Sequence, residues 1–468
     1  MSTSHRFHLI GIGGAGMSVV AELLKDRGLE VSGSDQKDSP VLDHLRSVGV
    51  KVFVGHDASH VPEDSVVVVS TAVRETNPEL AYARKEGLTV IHRSQALALA
   101  ASGMRFVAVA GAHGKTTTSG MLSMALRQAG ADPSIAVGSV IPELGSGAHL
   151  GSGDIFVAEA DESDGSFLNY TPWIEIVTNV EPDHLDRYGS REAFEQVFVD
   201  FVGCLREGGT LVCCGEDAGS ARLARYAKGR GIDTVTYGRE GQESPELGAP
   251  CDVVIKDATT DGHIASAQVL WNAETVEINL RVPGLHNIVN AVAAWIAGVR
   301  LGIEGHLMAS SLTAFSGTSR RFEFKGENGG RRLYDDYAHH PTEVAAAITQ
   351  ARSAAGNGEV SVVFQPHLYS RTQSFAGRFA DALSHADHVY VCDIYGARED
   401  PVPGVDSTLI TSHLPKARYV PDMHEAARLA AREVTEGGIL LTMGAGSITQ
   451  CDQDVLDEWE HDGAGSAQ

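Results

Sequence analysis

Paired cysteines, long apolar runs and basic residues are all scarce in this chain, and each scarcity excludes a class of protein. The six cysteines form no Cys-x-x-Cys pair, which argues against a zinc ribbon or a disulfide framework and indicates reduced thiols. No apolar run approaches the ~18 residues that a membrane-spanning helix needs. The first residues show neither a signal-peptide core nor a cleavage site. We therefore expect a soluble, cytoplasmic protein.

The scarcity of basic residues limits the choice of partners. The chain has 37 Lys and Arg against 61 Asp and Glu, which gives a formal net charge of −24. Such a chain repels polyanions on average, so nucleic acid and anionic membranes are excluded as main partners. One small anionic ligand remains compatible with this charge, because a helix N-terminus and a few cations act locally.

Short apolar runs, among them predicted strands over residues 105–110, 174–180 and 439–443, alternate with helical patterns along the whole chain, which is typical of parallel βαβ units. The length of 468 residues suggests about three domains at roughly 150 residues each. Small-residue stretches near residues 98–104 and 316–321 each precede a new series of strands. The sequence therefore predicts an α/β protein of three domains, divided at about residues 103 and 317.

The first glycine motif lies between the first predicted strand and helix and reads Gly11-Ile12-Gly13-Gly14-Ala15-Gly16. Asp35 follows Gly16 by 19 residues, at the end of the second predicted strand. Glycines in such a turn let a pyrophosphate approach backbone N–H groups, while the acid binds a ribose hydroxyl. The motif predicts a nucleotide that contains pyrophosphate, with NAD as the default. The alternative is a tight turn that needs glycine only for packing.

A second glycine motif, Gly111-Ala112-His113-Gly114-Lys115-Thr116-Thr117, again separates a predicted strand from a helix. It is a shortened P-loop, because Val109 stands where the full motif has its first glycine. Lys115 can neutralise phosphate charge, Thr116 can ligate Mg²⁺, and the loop N–H groups can surround an anion. The motif therefore predicts ATP binding.

Two polar segments follow apolar strands in the predicted central domain. Residues 159–164 read Glu-Ala-Asp-Glu-Ser-Asp, and Glu159 is the first carboxylate after its strand. Because Mg²⁺ prefers hard oxygen ligands beside phosphates, Glu159 is a candidate metal ligand. Residues 179–186 include His184 among carboxylates, so this histidine is a candidate metal ligand or acid–base group.

The remaining candidates are spread over the last third of the chain and are weak signals when taken singly. The segment 286–291 opens a helix and contains two asparagines, which most often cap a helix. Arginines at 320, 321 and 371 can clamp a phosphate or carboxylate. His339 and His340 follow a strand, and adjacent residues of an extended segment point in opposite directions, so they are not expected to share a zinc ion.

The ordered set of these motifs resembles the Mur ligase family, in particular its alanine-adding branch, over residues 7 to about 450. The resemblance implies a Rossmann-like UDP-binding domain over residues 1–103, a central P-loop ATPase-like domain over 104–316 and a Rossmann-like amino-acid domain over 317–468. The implied reaction joins L-alanine to the lactyl carboxylate of UDP-N-acetylmuramate in peptidoglycan precursor synthesis. It uses ATP and Mg²⁺, and the implied enzyme is a monomer or homodimer.

The resemblance also implies roles for individual residues. Those near the reacting groups would be Lys115, His339, His340 and Arg371. The UDP-substrate would contact Gly11, Gly13, Gly14, Ala15, Gly16, Asp35, Ser70, Thr71 and Ala72. The metal ligands would be Thr116, Glu159 and His184. ATP would contact Gly111, Ala112, His113, Gly114, Lys115, Thr116, Thr117, Asn287, Asn290, Arg321 and Asp336.

Some positions depart from the family pattern, and other functions remain open. Ala112 stands where threonine is usual, and Leu368 and Ser370 stand where arginine and threonine are frequent. The absence of lysine between Leu185 and Gly203 argues against siblings that carry a carbamylated lysine there. The nearest rival is a recycling ligase that attaches a tripeptide to the same UDP-sugar. More distant alternatives are a folylpolyglutamate synthase, an NAD-dependent oxidoreductase and a nucleotide-binding module without catalysis.

Overall fold

The computed structural model describes residues 6–182, 185–261, 264–397 and 399–465. The chain divides into two compact units. The larger comprises Met1–Ala258, Ser266–Leu280 and Asn287–Ser316, and the smaller comprises Thr259–Ala265, Arg281–His286 and Gly317–Gln468. Across the described ranges, we find no helix with the length and apolar character to cross a membrane.

The first sheet of the larger unit is parallel, with the strand order 3-2-1-4-5. This order is typical of a doubly wound nucleotide-binding fold, whose ligand site lies at the carboxyl ends of the strands. Its strands are β1 (Arg6–Ile10), β2 (Glu30–Asp35), β3 (Lys51–Val54), β4 (Val66–Val69) and β5 (Val90–His92). Its helices are α1 (Ala15–Asp26), α2 (Pro40–Ser47), α3 (Pro78–Lys85) and α4 (Arg93–Ala100).

The second sheet of the larger unit has ten strands in the order 15-14-13-12-11-10-6-9-7-8. Its strands are β6 (Arg105–Ala110), β7 (Ser134–Ile141), β8 (Ser146–His149), β9 (Ile155–Glu159), β10 (Ile174–Val177), β11 (Thr210–Cys214), β12 (Asp233–Arg239), β13 (Val253–Thr260), β14 (Ala265–Trp271) and β15 (Glu274–Leu280). Its helices are α5 (Lys115–Gln128), α6 (Leu185–Tyr188), α7 (Arg191–Val202), α8 (Ala218–Gly229), α9 (Leu285–Arg300) and α10 (Gly305–Ser311). Adjacent β10, β6 and β9 are parallel, so their carboxyl ends meet at one edge.

The smaller unit contains a six-stranded sheet in the order 16-17-21-18-19-20. Its strands are β16 (Glu323–Asn328), β17 (Arg331–Asp336), β18 (Val360–Phe364), β19 (His388–Val391), β20 (Arg418–Tyr419) and β21 (Ile439–Met443). Its helices are α11 (Pro341–Ala355), α12 (Tyr369–Leu383), α13 (Thr408–Thr411), α14 (Met423–Glu433) and α15 (Asp452–Gly465).

The expectation of parallel βαβ units throughout is wrong for two strand pairs whose register the structure describes. β7 pairs antiparallel with β8, and β16 pairs antiparallel with β17. A predicted strand over residues 174–180 also ends early, at Val177. It ends there because the next two side chains turn toward the loop after β6 instead of extending the sheet.

Glu175 is a fully buried carboxyl group in the centre of the second sheet. It lies on β10 opposite Ala108 of β6 and Leu211 of β11. Among the described residues, neither of its carboxyl oxygens has a hydrogen-bond partner. Burial raises the pKa of Glu175 well above its ordinary value, so the group is held in the neutral form and opposes folding as the pH rises.

Replacing Glu175 with leucine should therefore stabilise the larger unit. A neutral carboxyl buried without a partner costs about 1–3 kcal/mol, which the apolar side chain removes. In the wild type, the titration of Glu175 does not lower the free energy of unfolding below the unfolded pKa of about 4.3. Above that pH, the free energy of unfolding falls by about 1.4 kcal/mol per pH unit until the folded pKa is passed. Urea unfolding between pH 5 and pH 8 measures both effects.

Glu175→Gln is the matched control for this experiment, because it keeps a buried polar group but cannot titrate. It should reduce the loss of stability with rising pH, part of which stays because Glu162 and Asp336 titrate in the same range. It should not reach the absolute stability of Glu175→Leu. The interpretation is wrong if Glu175→Gln retains the wild-type pH dependence, or if Glu175→Leu unfolds at a lower urea concentration than the wild type.

Candidate active site

The P-loop comprises residues 111–114 and connects β6 to the N-terminus of α5. Gly111 has φ 130°, and Gly114, which caps α5, has φ 85°. A Cβ atom on Gly111 would lie 2.2 Å from Thr178 Oγ1, so only glycine fits there. The tight loop therefore leads directly into the N-terminus of α5, where an anion is stabilised.

Asn179 fixes the conformation of the P-loop from the segment that follows the neighbouring strand β10. Its Oδ1 accepts a hydrogen bond from the His113 N–H at 3.0 Å, and its Nδ2 donates to the His113 carbonyl at 2.9 Å. The Thr178 hydroxyl donates to the same carbonyl at 2.5 Å. Neither residue was among the predicted site residues, although their position directly after an apolar strand is a usable signal.

Replacing Asn179 with alanine should weaken ATP binding by about tenfold to thirtyfold, because two hydrogen bonds of about 1 kcal/mol each are lost from the loop. Equilibrium titration with ATP measures this effect. Asn77→Ala is the matched control, because the Asn77 side chain also makes two hydrogen bonds to the backbone, accepting both at 2.9 and 3.2 Å, but at the start of α3. Equal losses of ATP affinity in both variants would contradict the assignment.

Lys115 is the cation at the start of α5. Its Nζ donates to the Gly111 carbonyl at 2.5 Å and lies 2.9 Å from Glu162 Oε1. Burial opposes its charge, but Glu162, Asp161 and Glu159 outweigh burial and raise the pKa of Lys115. The ammonium group is therefore retained in the folded state and faces both the loop and the acidic segment after β9.

The acidic segment 159–164 begins where β9 ends. Burial raises the pKa of Glu162 to about 7 against the attraction of Lys115. Burial also acts against Asp161, but Arg93 and Lys115 hold the pKa of that carboxyl well below its usual range. Glu159 Oε1 accepts the Gly138 N–H at 3.1 Å, which fixes the carboxylate at the sheet edge. The segment therefore combines one fully ionised acid with one that titrates near neutrality.

Other predicted residues of the second sheet lie around the same loop. Thr116 is buried in the first turn of α5, and Thr117 follows it in that helix. Asn290 Oδ1 would lie 2.7 Å from a Cβ on Gly114, so this side chain packs against the P-loop. Asn287 is buried on α9. His184 lies outside the described residues.

The glycine loop of the first sheet is held by β2. The N–H groups of Gly11 and Ile12 donate to the Ser34 carbonyl at 2.8 and 3.0 Å. Gly13 N–H donates to Asp35 Oδ2 at 2.9 Å, so the carboxylate predicted to bind a ribose also fixes the loop. Gly14 is the N-cap of α1, and Ala15 and Gly16 form its first turn.

The turn after β4 contains the predicted residues Ser70, Thr71 and Ala72. The Thr71 hydroxyl donates to Asp164 Oδ2 at 3.2 Å, which places this turn against the acidic segment. The Val73 N–H donates to the Ser70 carbonyl at 3.1 Å and closes the turn. The acidic segment is therefore in contact with elements of both sheets of the larger unit.

Arg93, which sequence analysis missed, joins the glycine loop to the acidic segment. Its Nη2 lies 2.5 Å from Asp161 Oδ2. Its Nη1 would lie 2.7 Å from a Cβ on Gly16, so glycine at that position makes room for the guanidinium group. Positive Arg93, negative Asp161 and positive Lys115 therefore form a series of alternating charges between the two glycine loops. The signal in the sequence was an arginine directly after β5, at the carboxyl edge of the sheet.

The smaller unit has its own group of polar side chains at the carboxyl ends of its strands. Asp336 ends β17 and accepts the N–H groups of Phe322 at 2.8 Å and Ala338 at 2.7 Å. Burial raises the pKa of Asp336 to about 6. Arg321 Nη1 lies 3.5 Å from Glu343 Oε1. Asp336 therefore fixes two backbone segments and titrates close to neutrality.

The two adjacent histidines have different surroundings within the smaller unit. His339 Nδ1 lies 2.9 Å from the Tyr337 carbonyl, and burial lowers the pKa of His339 to about 3. His340 caps α11, and its ring packs edge-on against Phe375 at 5.2 Å. The two imidazoles therefore lie in different surroundings, and whether they share an ion stays a prediction.

Arg371 and His339 are brought together through His367, a residue without a predicted role. The Arg371 guanidinium is buried on α12, with Nη1 3.3 Å from His367 Nδ1. The His367 ring packs edge-on against the ring of His339 at 5.7 Å. This unit therefore gathers one cation and two imidazoles at one sheet edge, next to β17 and β18.

The fold and the two glycine loops define a class: α/β proteins that combine a Rossmann-like nucleotide site with a P-loop. Family models match the chain as "Mur ligase family, catalytic domain" over residues 6–105, "Mur ligase middle domain" over 109–298 and "Mur ligase, glutamate ligase domain" over 320–446. The chain belongs to the Mur ligase family. The expected family and its three-domain α/β architecture are confirmed, whereas the boundaries at residues 103 and 316 and the roles of single residues stay predictions.

Relatives of known name cover nearly the whole chain. It is 49% identical over 454 residues to UDP-N-acetylmuramate--L-alanine ligase of Renibacterium salmoninarum, covering 97% of this chain and 95% of that one. It is 50% identical over 459 residues to the ligase of the same name of Kineococcus radiotolerans, covering 96% and 95%. The crystal structure of UDP-N-acetylmuramate-alanine ligase from Thermotoga maritima aligns with TM-score 0.81 and 27% identity, over 98% of this chain and 99% of that one.

Proposed function

We infer that this chain joins L-alanine to the lactyl carboxylate of UDP-N-acetylmuramate, with conversion of ATP to ADP and phosphate, in peptidoglycan precursor synthesis. The observation that carries this inference is the end-to-end similarity to ligases of that name at 49% and 50% identity. The P-loop, with Lys115 at its end and Asn179 behind it, gives a physical basis for the use of ATP.

The reaction requires the activation of a poor electrophile. A carboxylate oxygen attacks the γ-phosphorus of ATP, the bond to the β-phosphate oxygen breaks, and an acyl phosphate and ADP result. The amine of L-alanine then attacks the acyl carbon, phosphate leaves, and the nitrogen loses a proton to form the amide. Both steps bring negative groups together, so cations and backbone N–H groups at the site stabilise them.

We assign Lys115 to the transferred phosphoryl group. Its ammonium group now contacts the Gly111 carbonyl and Glu162, and phosphate oxygens would compete for it when ATP binds. The N-terminus of α5 and the P-loop N–H groups would bind the remaining phosphate oxygens. The UDP part of the substrate would occupy the loop from Gly11 to Gly16, where the backbone N–H groups of Ala15 and Gly16 lie in the first turn of α1.

The donor set beside the P-loop fits magnesium. Thr116 supplies a hydroxyl oxygen in the first turn of α5, and Glu159 supplies a carboxylate whose orientation is fixed by Gly138. Such hard oxygen donors beside phosphates are those that Mg²⁺ prefers. When bound, Mg²⁺ would offset the charge of the triphosphate. His184 stays a proposed further ligand.

The side chains of the smaller unit would serve the amino-acid end of the reaction. Arg371 is positioned by His367 and would neutralise a carboxylate or acyl phosphate. A pKa near 3 makes His339 a poor proton acceptor, so we assign this imidazole to positioning rather than to deprotonation of the amine. Arg321 and Asp336 stay proposed contacts of ATP, and His340 a proposed residue near the acyl phosphate.

Phosphate release with Mg-ATP and UDP-N-acetylmuramate, measured with and without L-alanine, tests the proposal. We expect release only with all three substrates, together with a product whose mass corresponds to the alanyl conjugate. Release with the tripeptide but not with L-alanine would instead identify the recycling ligase. A folded sample that turns over no ATP with either substrate would overturn the catalytic assignment and favour a nucleotide-binding module.

A further inference from the structure

One group of metal-ligating side chains in the smaller unit has no place in the proposed reaction. His424 lies on α14, Cys451 ends the turn after β21, and Asp454 lies on α15. One ligand atom from each of the three lies within 4.8 Å of the others. Cys451 and Asp454 are three positions apart around the start of α15, whereas His424 comes from α14, so the tertiary fold brings the histidine to the other two.

The distances match the requirements of a tetrahedral transition-metal site. His424 Nδ1 lies 3.7 Å from Cys451 Sγ, whereas zinc bonds of about 2.1 Å to nitrogen and 2.3 Å to sulfur require about 3.6 Å between these atoms. His424 Nδ1 lies 2.6 Å from Asp454 Oδ2. When a metal binds, the hydrogen bond between these two atoms would be replaced by two bonds to the metal. The distance between the atoms would then increase by about 0.7 Å.

The charges around the group also favour a dication. Asp454 Oδ1 bonds Arg428 Nη1 at 2.6 Å, which leaves Oδ2 directed at His424. Asp452 and Asp422 act electrostatically on the Cys451 thiol in addition to Asp454. These three carboxylates face two cations, Arg428 and Lys325, and the Lys325 Nζ lies 3.7 Å from Asp452 Oδ2. One negative charge is left over beside the donor atoms, and a metal would offset it while the thiol releases its proton to solvent.

We propose that His424, Cys451 and Asp454 form a binding site for a zinc-like divalent ion, with water as the fourth ligand. Nitrogen and sulfur donors select Zn²⁺ over Mg²⁺, which prefers oxygen ligands. The His424 side chain is 40% exposed, so the site is open to solvent on one side. The ion would tie α14 to α15 at the segment that follows β21.

Titration of the untagged full chain with Co²⁺ tests this site, because a thiolate ligand gives a sulfur-to-cobalt charge-transfer band that needs no enzyme activity. We expect one equivalent of Co²⁺ to produce the band, Zn²⁺ to abolish it, and millimolar Mg²⁺ to leave it unchanged. Cys451→Ser should lose the band, and Cys204→Ser is the matched control, because Cys204 is a half-buried thiol of the larger unit and should keep it.

His424→Gln gives a second variant at a more exposed position, for the case in which Cys451→Ser does not fold. It should lower the affinity for Zn²⁺ at least tenfold and remove the Zn²⁺-dependent increase in the urea midpoint that the wild type shows. The proposal is wrong if the band persists in Cys451→Ser, if Cys204→Ser loses it, or if the wild type binds no stoichiometric Co²⁺.

Discussion

Lys115→Ala should lower kcat/KM for phosphate release at least a thousandfold, which corresponds to about 4 kcal/mol of lost transition-state stabilisation. The ammonium group contacts both the P-loop backbone and Glu162, and the proposed function assigns it to the transferred phosphoryl group. Assays of phosphate release with Mg-ATP, UDP-N-acetylmuramate and L-alanine measure the loss.

A second effect must be separated from this one. Removing Lys115 leaves Glu162 buried without its cation partner and beside Asp161, which costs about 3–5 kcal/mol of stability. The double variant Lys115→Ala, Glu162→Gln removes the uncompensated acid and should recover much of the urea midpoint without recovering activity. Recovery of activity in the double variant would show that Lys115 acts only through folding.

Lys228→Ala serves as the control for removing a lysine. Lys228 forms a 2.8 Å ion pair with Asp252 on an exposed part of the larger unit. Such pairs contribute about 0–1 kcal/mol, so activity should change less than twofold. A comparable loss of activity in Lys228→Ala would contradict a specific role for Lys115.

Arg93→Ala should reduce kcat/KM for the UDP-substrate by about a hundredfold. The guanidinium group fills the space beside Gly16 and pairs with Asp161 at 2.5 Å. Its loss leaves Asp161 near Lys115 with one cation fewer, and it removes the link between the two glycine loops. Because Arg93 acts through its neighbours, both KM for the UDP-substrate and kcat should change.

A double-mutant cycle with Asp161→Asn tests this coupling. If the two residues act as a pair, the double variant should be only slightly worse than the more damaged single variant, with a coupling energy of at least about 2 kcal/mol. Arg105→Ala is the matched control, because Arg105 pairs with Asp154 at 2.8 Å in an exposed position. Additive effects of Arg93→Ala and Asp161→Asn would contradict the proposed link.

Much of the fold could be predicted because its signals are local. The strand over residues 105–110 was predicted at its observed bounds, and so was the strand over 439–443. Buried parallel strands read as short apolar runs between helical patterns. The antiparallel pair β7 and β8 was missed, because Gly138 and Ser139 interrupt the apolar run of β7 and because β8 consists of small and polar residues.

The glycines of the candidate site were predicted from the sequence, whereas the side chains that hold its loops in place were missed. Glycine at 111 and 114 is required by left-handed backbone conformations within the loop itself. Asn179 and Arg93 act on residues 66 and 68 positions away, respectively. A side chain whose partner is distant in the sequence produces no periodic pattern. Its residue type alone is equally compatible with an exposed position that contributes little to stability.

The sequence by itself determined the α/β class, the two glycine loops, the excess of negative charge and the resemblance to the Mur ligase family. Each of these follows from composition or from residues only a few positions apart. Tertiary structure alone decided that Arg93, Asp161 and Lys115 form an alternating series, that Glu175 has no partner among the described residues, and that Cys451 meets His424. The order of strands in a sheet selects these neighbours, and that order depends on packing of the whole unit rather than on local propensity.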